Sequence, residues 1–208
     1  MTLDDIVGQD HLLGADAPLR RTIESDRLAS MILWGPPGCG KTTLARILSM
    51  QTELHFEQLS AIFSGVKDLR KVFDEARLRK RNGQGTMLFV DEIHRFNKSQ
   101  QDAFLPVVED GTIVLIGATT ENPSFELNAA LLSRTQVFVL KRLDDAALEV
   151  LLSRAEDDAA RPLPLDRDAR AALKAMADGD GRYVLSMAEQ LLAQDESLDT
   201  EGLLRVVQ

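Results

Sequence analysis

Along this chain the spacing of hydrophobic residues changes character near residue 140. Before that point five short apolar runs, Met31 to Trp34, Leu54 to Leu59, Met87 to Val90, Ile113 to Ile116 and Val137 to Leu140, are each separated by enough residues for a helix. Such runs predict strands, and strand and helix signals in alternation predict a mostly parallel sheet covered on both faces. Between them Val66, Leu69, Phe73 and Ala76 recur at helical spacing. Asn97, with Gln100 three residues later, predicts a capped helix start before the apolar residues from Ala103 to Val108, and Pro106 should bend or shorten that helix. After Leu140 the strand signals stop. Helices are expected at about 144–155, 166–177 and 182–193, with a short piece from Leu198, and Arg161-Pro162-Leu163-Pro164 breaks the first two apart. The pattern therefore predicts an α/β domain over 1–142, a five-stranded parallel sheet with flanking helices, followed by a small all-α domain over 143–208.

Composition narrows the picture. With 208 residues, 44% hydrophobic and 27% charged, the chain can bury a core without disulfide or metal staples. The one cysteine, Cys39, excludes a disulfide framework and a multi-cysteine zinc ribbon, and suits a reducing compartment. No eighteen apolar residues run together, and Met1-Thr2-Leu3-Asp4-Asp5 lacks the features of a secretory signal, so a cytoplasmic protein with no membrane partner is expected. A formal charge of −9 argues against a surface that is basic throughout. Residues 67–81 nevertheless carry seven basic against three acidic side chains, whereas residues from 141 onward carry nine against fifteen.

The strongest chemical signal is Gly35-Pro36-Pro37-Gly38-Cys39-Gly40-Lys41-Thr42, which fits G-x-x-x-x-G-K-[ST] between an expected strand and the amphipathic stretch Thr43 to Met50. Its glycines let successive amide hydrogens converge on phosphates at a helix N-terminus. Lys41 reaches the β- and γ-phosphates and the Thr42 hydroxyl ligates Mg²⁺. About fifty residues on, Met87-Leu88-Phe89-Val90-Asp91-Glu92 ends a buried strand in two carboxylates. Asp91 would hold the magnesium shell, and Glu92 would polarise the attacking water as general base. The combination reads as a nucleoside-triphosphate hydrolase with ATP preferred, since no guanine-reading N-K-x-D pattern is present. Cys39 reads as a small filler whose amide does the work, although a thiol at a helix N-terminus beside Lys41 should have a lowered pKa, so alkylation blocked by bound nucleotide is an expectation.

These residues resemble the AAA+ ATPases, P-loop NTPases, and more closely the replication-associated recombination protein A family, whose eukaryotic relative is the Werner-helicase-interacting protein. The resemblance runs through Ser30 to Leu44 (SMILWGPPGCGKTTL), Phe89 to Gly111 (FVDEIHRFNKSQQDAFLPVVEDG) and Ile116 to Arg134 (IGATTENPSFELNAALLSR). It implies sensor 1 at Thr120, with Thr119 the competing choice, and an arginine finger at Arg134 that serves a neighbouring subunit. It also implies sensor 2 at Arg182 within Gly179-Asp180-Gly181-Arg182, where the family's usual alanine is replaced by Gly181 and its common second arginine by Tyr183. Ile6-Val7-Gly8-Gln9 resembles the segment that flanks the adenine, and Thr43 completes the loop's contacts. The DExH-like look of Asp91-Glu92-Ile93-His94 reads as accidental, His11, His55 and His94 are too scattered for a metal site, and Trp34 reads as core.

The resemblance implies an ATP- and Mg²⁺-dependent, assembly-dependent ATPase of DNA replication, recombination and repair at stalled forks or DNA ends. Single-stranded or forked DNA, single-strand-binding protein and further copies of the chain would be its partners, with a nucleoid association if bacterial. The chain is expected to be truncated at both ends relative to that family. A clamp-loader-like or branch-migration-like subunit, and a nucleotide-binding module with little turnover, are the alternative readings.

Overall fold

The computed structural model describes residues 2–24 and 28–207. The described residues cluster into two compact units. The first holds residues up to Ile6, then Asp10–Gly35 and Lys41–Leu140; the second holds Val7–Gln9, Pro36–Gly40 and the residues from Lys141 onward.

In the first unit a short 3₁₀ turn, Leu3–Asp5, precedes helices α1 (Asp10–Leu13) and α2 (Pro18–Glu24). Strand β1 (Met31–Trp34), helix α3 (Lys41–Met50), strand β2 (His55–Ser60), helix α4 (Val66–Arg81) and strand β3 (Thr86–Asp91) follow. A 3₁₀ turn at Ile93–Arg95 leads to α5 (Lys98–Asp102), α6 (Leu105–Glu109), β4 (Ile113–Thr119), α7 (Pro123–Glu126), α8 (Ala129–Leu132) and β5 (Gln136–Val139). All pairings are parallel, in the order β2-β3-β4-β1-β5. The five expected strands are found within a few residues of their apolar runs.

The sheet is buried on both faces because its central strands alternate. Ile32, Leu88, Val90, Ile113 and Leu115 join the apolar stripe of α4, Leu69, Val72, Phe73 and Ala76, in one cluster. Phe104 stands at its centre, edge-on to Phe73 at 5.3 Å between ring centroids. Met87 and Phe89 alternate with Leu88 and Val90 toward the opposite face, where α3 packs on β2, β3 and β4 and buries Leu44, Ile47 and Leu48. At the edge strand β5 only Phe138 is buried, and Val137 and Val139 are exposed. Trp34, at the mouth of β1, is half-buried and does not belong to the fully enclosed core.

The capped start at Asn97 forms as its sequence dictates: Asn97 Oδ1 accepts from the Gln100 amide at 3.0 Å, and Gln100 Oε1 accepts from the Asn97 amide at 2.9 Å. Pro106 divides the segment into α5 and α6, since it fits only in the first turn of a helix, where no amide donor is needed.

The second unit contains α9 (Asp145–Ala159), α10 (Arg167–Ala177), α11 (Gly181–Leu192) and α12 (Thr200–Val207) around Leu148, Leu152, Leu173, Val184 and Leu191. Aspartates cap three of these helices: Asp144 accepts from the Ala147 amide, Asp166 from Ala169, and Asp180 from Arg182 and Tyr183. Arg170 donates to Glu149 and, through two nitrogens, to Glu156, which ties α10 to α9. Among the described residues no helix is long and apolar enough to cross a membrane.

Candidate nucleotide site

In the first unit, β1 delivers the chain to Gly35, whose amide donates to the Thr119 carbonyl at 3.1 Å and so ties the strand end to the tip of β4. Lys41, the first residue of α3, is buried, and its Nζ donates to the Gly35 carbonyl at 2.7 Å. A buried ammonium demands such oxygen partners. Thr42 and Thr43 follow it half-buried.

Asp91 closes β3 directly opposite Ser60 of β2, and its carbonyl accepts from the Ala61 amide at 2.9 Å. Glu92 then leaves the strand in the left-handed region, φ 53 and ψ 44. For a side chain with a Cβ this costs about 1 kcal/mol. The turn places the Glu92 carboxylate beside the end of β4, where Thr120 Oγ1 donates to its Oε2 at 3.3 Å. Thr119, fully buried, is engaged otherwise: its hydroxyl lies 3.1 Å from both the carbonyl and the amide of Glu121 and 2.9 Å from His94 Nδ1. The same Nδ1 is 3.3 Å from Glu92 Oε2. Gly117 in β4 makes room for this turn, because a Cβ there would come within 3.0 Å of the Ile93 side chain and 2.7 Å of Ile32.

Arg134 follows α8, within a segment whose helices start at two asparagine caps, Asn122 before Pro123 and Asn128 before Ala129. Its side chain is exposed and held by its own chain: Nε donates to Glu109 Oε1 at 2.5 Å, and Nη1 to the Ala130 carbonyl at 2.8 Å and Ser133 Oγ at 3.0 Å.

In the second unit, the loop Pro36–Gly40 packs against the start of α11. The Gly181 amide donates to the Gly38 carbonyl at 3.1 Å. Gly38 has φ +67, and a Cβ on it would overlap the Asp180 carboxylate and stand 2.9 Å from Asp180 Cα. Asp180 Oδ1 meanwhile caps α11, accepting from Arg182 N at 2.9 Å and Tyr183 N at 3.0 Å. A Cβ at Gly181 would lie 3.1 Å from the Gly38 carbonyl and under 3 Å from methyls of Leu143 and Leu151, so glycine in place of the expected alanine lets the loop sit this close. Gln9, almost wholly buried, spans the same unit: Nε2 donates to the Cys39 carbonyl at 3.3 Å and the Lys141 carbonyl at 2.8 Å, and Oε1 accepts from the Lys141 amide at 3.0 Å. The Arg182 side chain is exposed.

Ile6 and Val7 fall in different units. Ile6 lines a cleft of about 270 Å³ with Leu3, Asp4, Leu13 and Arg20, whereas Val7 packs on the apolar cluster of the second unit. Cys39 is 1% exposed, which corrects the expectation of a reactive thiol: alkylation requires contact with the sulfur, and burial denies it. Four residues of these arrangements were not chosen from the sequence. The DExH-like pattern around His94 gives no sign of its contacts with Thr119 and Glu92, Gln9 and Glu109 bond to residues remote in the chain, and Asp180 caps its own helix while its approach to Gly38 is equally remote, so spacing carries no signal for these contacts.

Comparison with known proteins gives a consistent picture. Residues 31–143 match the model of the ATPase family associated with various cellular activities (AAA). The chain is 53% identical to replication-associated recombination protein A of Coxiella burnetii over 205 residues, and 49% identical to the protein of that name from Escherichia coli K12. It is 46% identical over 202 residues to the ATPase WRNIP1 of Dictyostelium discoideum, covering 95% of this chain and 23% of that one. For the two bacterial proteins the alignment covers 96% of this chain but 46% of theirs, so the chain spans about half the length of those relatives. Among solved structures, the Thermotoga maritima RuvB Holliday junction branch migration motor shares the fold, with a TM-score of 0.77 over 99% of this chain and 70% of that one, at 24% identity.

Proposed function

Because the chain belongs to the AAA family of ATPases, we propose that it binds ATP with Mg²⁺ and hydrolyses it in the service of DNA replication, recombination and repair. The observation that carries this reading is the Glu92 carboxylate, turned off the end of β3 and held on one oxygen by Thr120. That is the posture of a general base with its second oxygen open to a water.

The residues divide the work. Amides of Gly38, Cys39, Gly40 and α3's first turn, with Lys41, supply positive ends for the phosphates. Ile6 and Val7 would flank the adenine. Thr42 and Asp91 would hold Mg²⁺, which supplies neutralisation of phosphate charge when bound. Among the described residues no group of three or more His, Cys, Asp or Glu side chains could cage a metal, which suits an ion held chiefly by phosphate oxygens and water, with one or two protein ligands. Glu92 takes the proton of the attacking water, and Thr120 keeps its carboxylate aimed. Arg134 acts on the nucleotide of a neighbouring copy, after exchanging Glu109 for it. Arg182, on α11, acts as sensor 2 and makes α9–α12 a lid.

DNA contact finds support on α4. Arg77, Arg79 and Lys80 are paired with Asp74, Glu57 and Glu75, and Asp110. Lys67, Arg70, Lys71 and Arg81 are exposed and pair with no carboxylate among the described residues. In the turn before α4, Phe63 is 88% exposed, with Ile62 beside it. Cations next to an open aromatic face suit single-stranded DNA, through phosphate neutralisation and base stacking. The names of the relatives point to the same process, and the proposal extends to single-strand-binding protein as a partner.

The test is steady-state ATP hydrolysis across protein concentration, with and without single-stranded and forked DNA. Turnover per subunit should rise with concentration and with DNA at low salt. Glu92→Gln should bind ATP without hydrolysing it, and Lys41→Ala should lose both. Tight ATP binding with flat, negligible turnover would overturn the motor and leave a nucleotide-binding module, a reading that the tethering of Arg134 to its own Glu109 favours.

A further inference from the structure

We propose that His94 is a positioning residue for Glu92: its Nδ1–H is shared between Thr119 and Glu92, so that it holds one oxygen of the general base and couples that base to the tip of β4. The inference rests on the reading of Glu92 as the base.

The hydrogen count assigns the tautomer. Thr119 has a single hydroxyl proton, and the Glu121 carbonyl, which can only accept, lies 3.1 Å away to receive it. The lone pairs of that hydroxyl then accept from the Glu121 amide at 3.1 Å and from His94 Nδ1 at 2.9 Å. Nδ1 must carry a proton to serve there. The second neighbour of Nδ1 demands the same, because Glu92 Oε2, 3.3 Å away, would otherwise face a nitrogen lone pair. The His94 side chain is only 6% exposed, so water does not relieve a wrong choice.

The consequence for Glu92 is asymmetric. Oε2 receives the Thr120 hydroxyl at 3.3 Å, and His94 Nδ1 stands 3.3 Å from the same oxygen, near enough for its N–H to draw that oxygen electrostatically. Oε1 is left as the oxygen that can take a proton. The two candidate sensor 1 residues thereby act together, Thr120 directly and Thr119 through the imidazole. Because Glu92 sits in a strained left-handed turn, side-chain contacts of this kind are what hold its carboxylate in one direction.

Two measurements test the proposal. In the nucleotide-free protein, proton–nitrogen correlation spectra of the three imidazoles should show Nδ1 of His94 as the protonated nitrogen, and Glu92→Gln should move that signal while His11 and His55 stay put. A protonated Nε2 with a bare Nδ1 would overturn the proposal. In the assembled enzyme, His94→Ala and His94→Gln should lower kcat about tenfold or more, with nucleotide affinity within about twofold of wild type, as expected when only transition-state alignment is lost. His94→Asn, whose amide N–H sits where Nδ1–H does, should recover most of the loss. Equal loss in the asparagine and alanine variants, or affinity falling in step with kcat, would refute it. Should Glu92→Gln hydrolyse ATP as well as wild type, the assignment of the base fails, and the spectra still decide whether His94 holds that carboxylate.

Discussion

Placing a methyl group on Gly38 should damage the chain at a distance of 142 residues in sequence, and the damage should depend on Asp180. The new Cβ would occupy the space of the Asp180 carboxylate, and the left-handed backbone at φ +67 adds about 1 kcal/mol of its own for any residue other than glycine. Displacing the carboxylate also releases the amides of Arg182 and Tyr183, which Asp180 Oδ1 caps at 2.9 and 3.0 Å, and a lost cap costs about 1 kcal/mol. Gly38→Ala should therefore cost about 2 kcal/mol and Asp180→Ala about 1. The double variant should cost about 2 rather than 3, because the cap can be lost only once; the tight approach to Asp180 Cα is common to both alanine-38 proteins and cancels. Chemical denaturation of the four proteins gives the cycle, and hydrogen exchange at the Arg182 and Tyr183 amides shows where the coupling resides. Costs that add to within about 0.4 kcal/mol, or unchanged protection of those two amides in Gly38→Ala, would refute the reasoning.

Four further outcomes are expected. Ala160 ends α9 at φ 51, a position that favours glycine, so Ala160→Gly should stabilise the protein by about 0.5–1 kcal/mol in urea denaturation. Hydrogen bonds from Arg170 hold the Glu149 and Glu156 carboxyls below the ordinary value of 4.5; the unfolded chain therefore takes up protons first as pH falls below that value, and their contribution, present at neutral pH, is lost through the acid range. Arg170→Met should flatten that acid slope of the urea midpoint. Lys174, raised above 10.5 chiefly by its hydrogen bond to Asp145, acts at the other end: its contribution is complete below 10.5 and fades as pH rises through the higher folded value. Finally, Arg134→Ala should leave nucleotide affinity unchanged and reduce turnover by roughly 10³ or more in concentrated protein, as read by steady-state hydrolysis, whereas Glu109→Ala, which only frees Arg134, should not.

Much of the sheet was legible because each central strand is buried on both faces and so reads as an uninterrupted apolar run, as in Met87 to Val90. Pro106 and the Asn97–Gln100 pair announce their own local structure, since both act within one helical turn. The paired motifs at Gly35–Thr42 and Asp91–Glu92 were legible because they follow strands. The remainder depends on contacts that no local pattern encodes. Nothing near Glu92 says that its backbone turns left-handed, and nothing near His94 says that Thr119 will lie 2.9 Å away. The contact of Gly38 with Asp180 is likewise invisible in the chain, although the glycine at 181 that permits it stands out against the resemblance. The exposure of Val137 and Val139 follows from the place of β5 at the sheet edge, which is a matter of topology and not of composition.

The grouping of Pro36–Gly40 with the helical unit carries a mechanical consequence. The residues on either side of this loop, Gly35 and Lys41, are anchored to the sheet, while its own carbonyls are tethered to Gly181 and Gln9. With its carbonyls held in this way, the loop keeps its conformational freedom at Gly40, which has φ +100 and open space where a Cβ would be. A substitution at Gly40 would meet backbone strain and no neighbouring atom, so it should stiffen the loop while leaving the tethers at Gly181 and Gln9 in place.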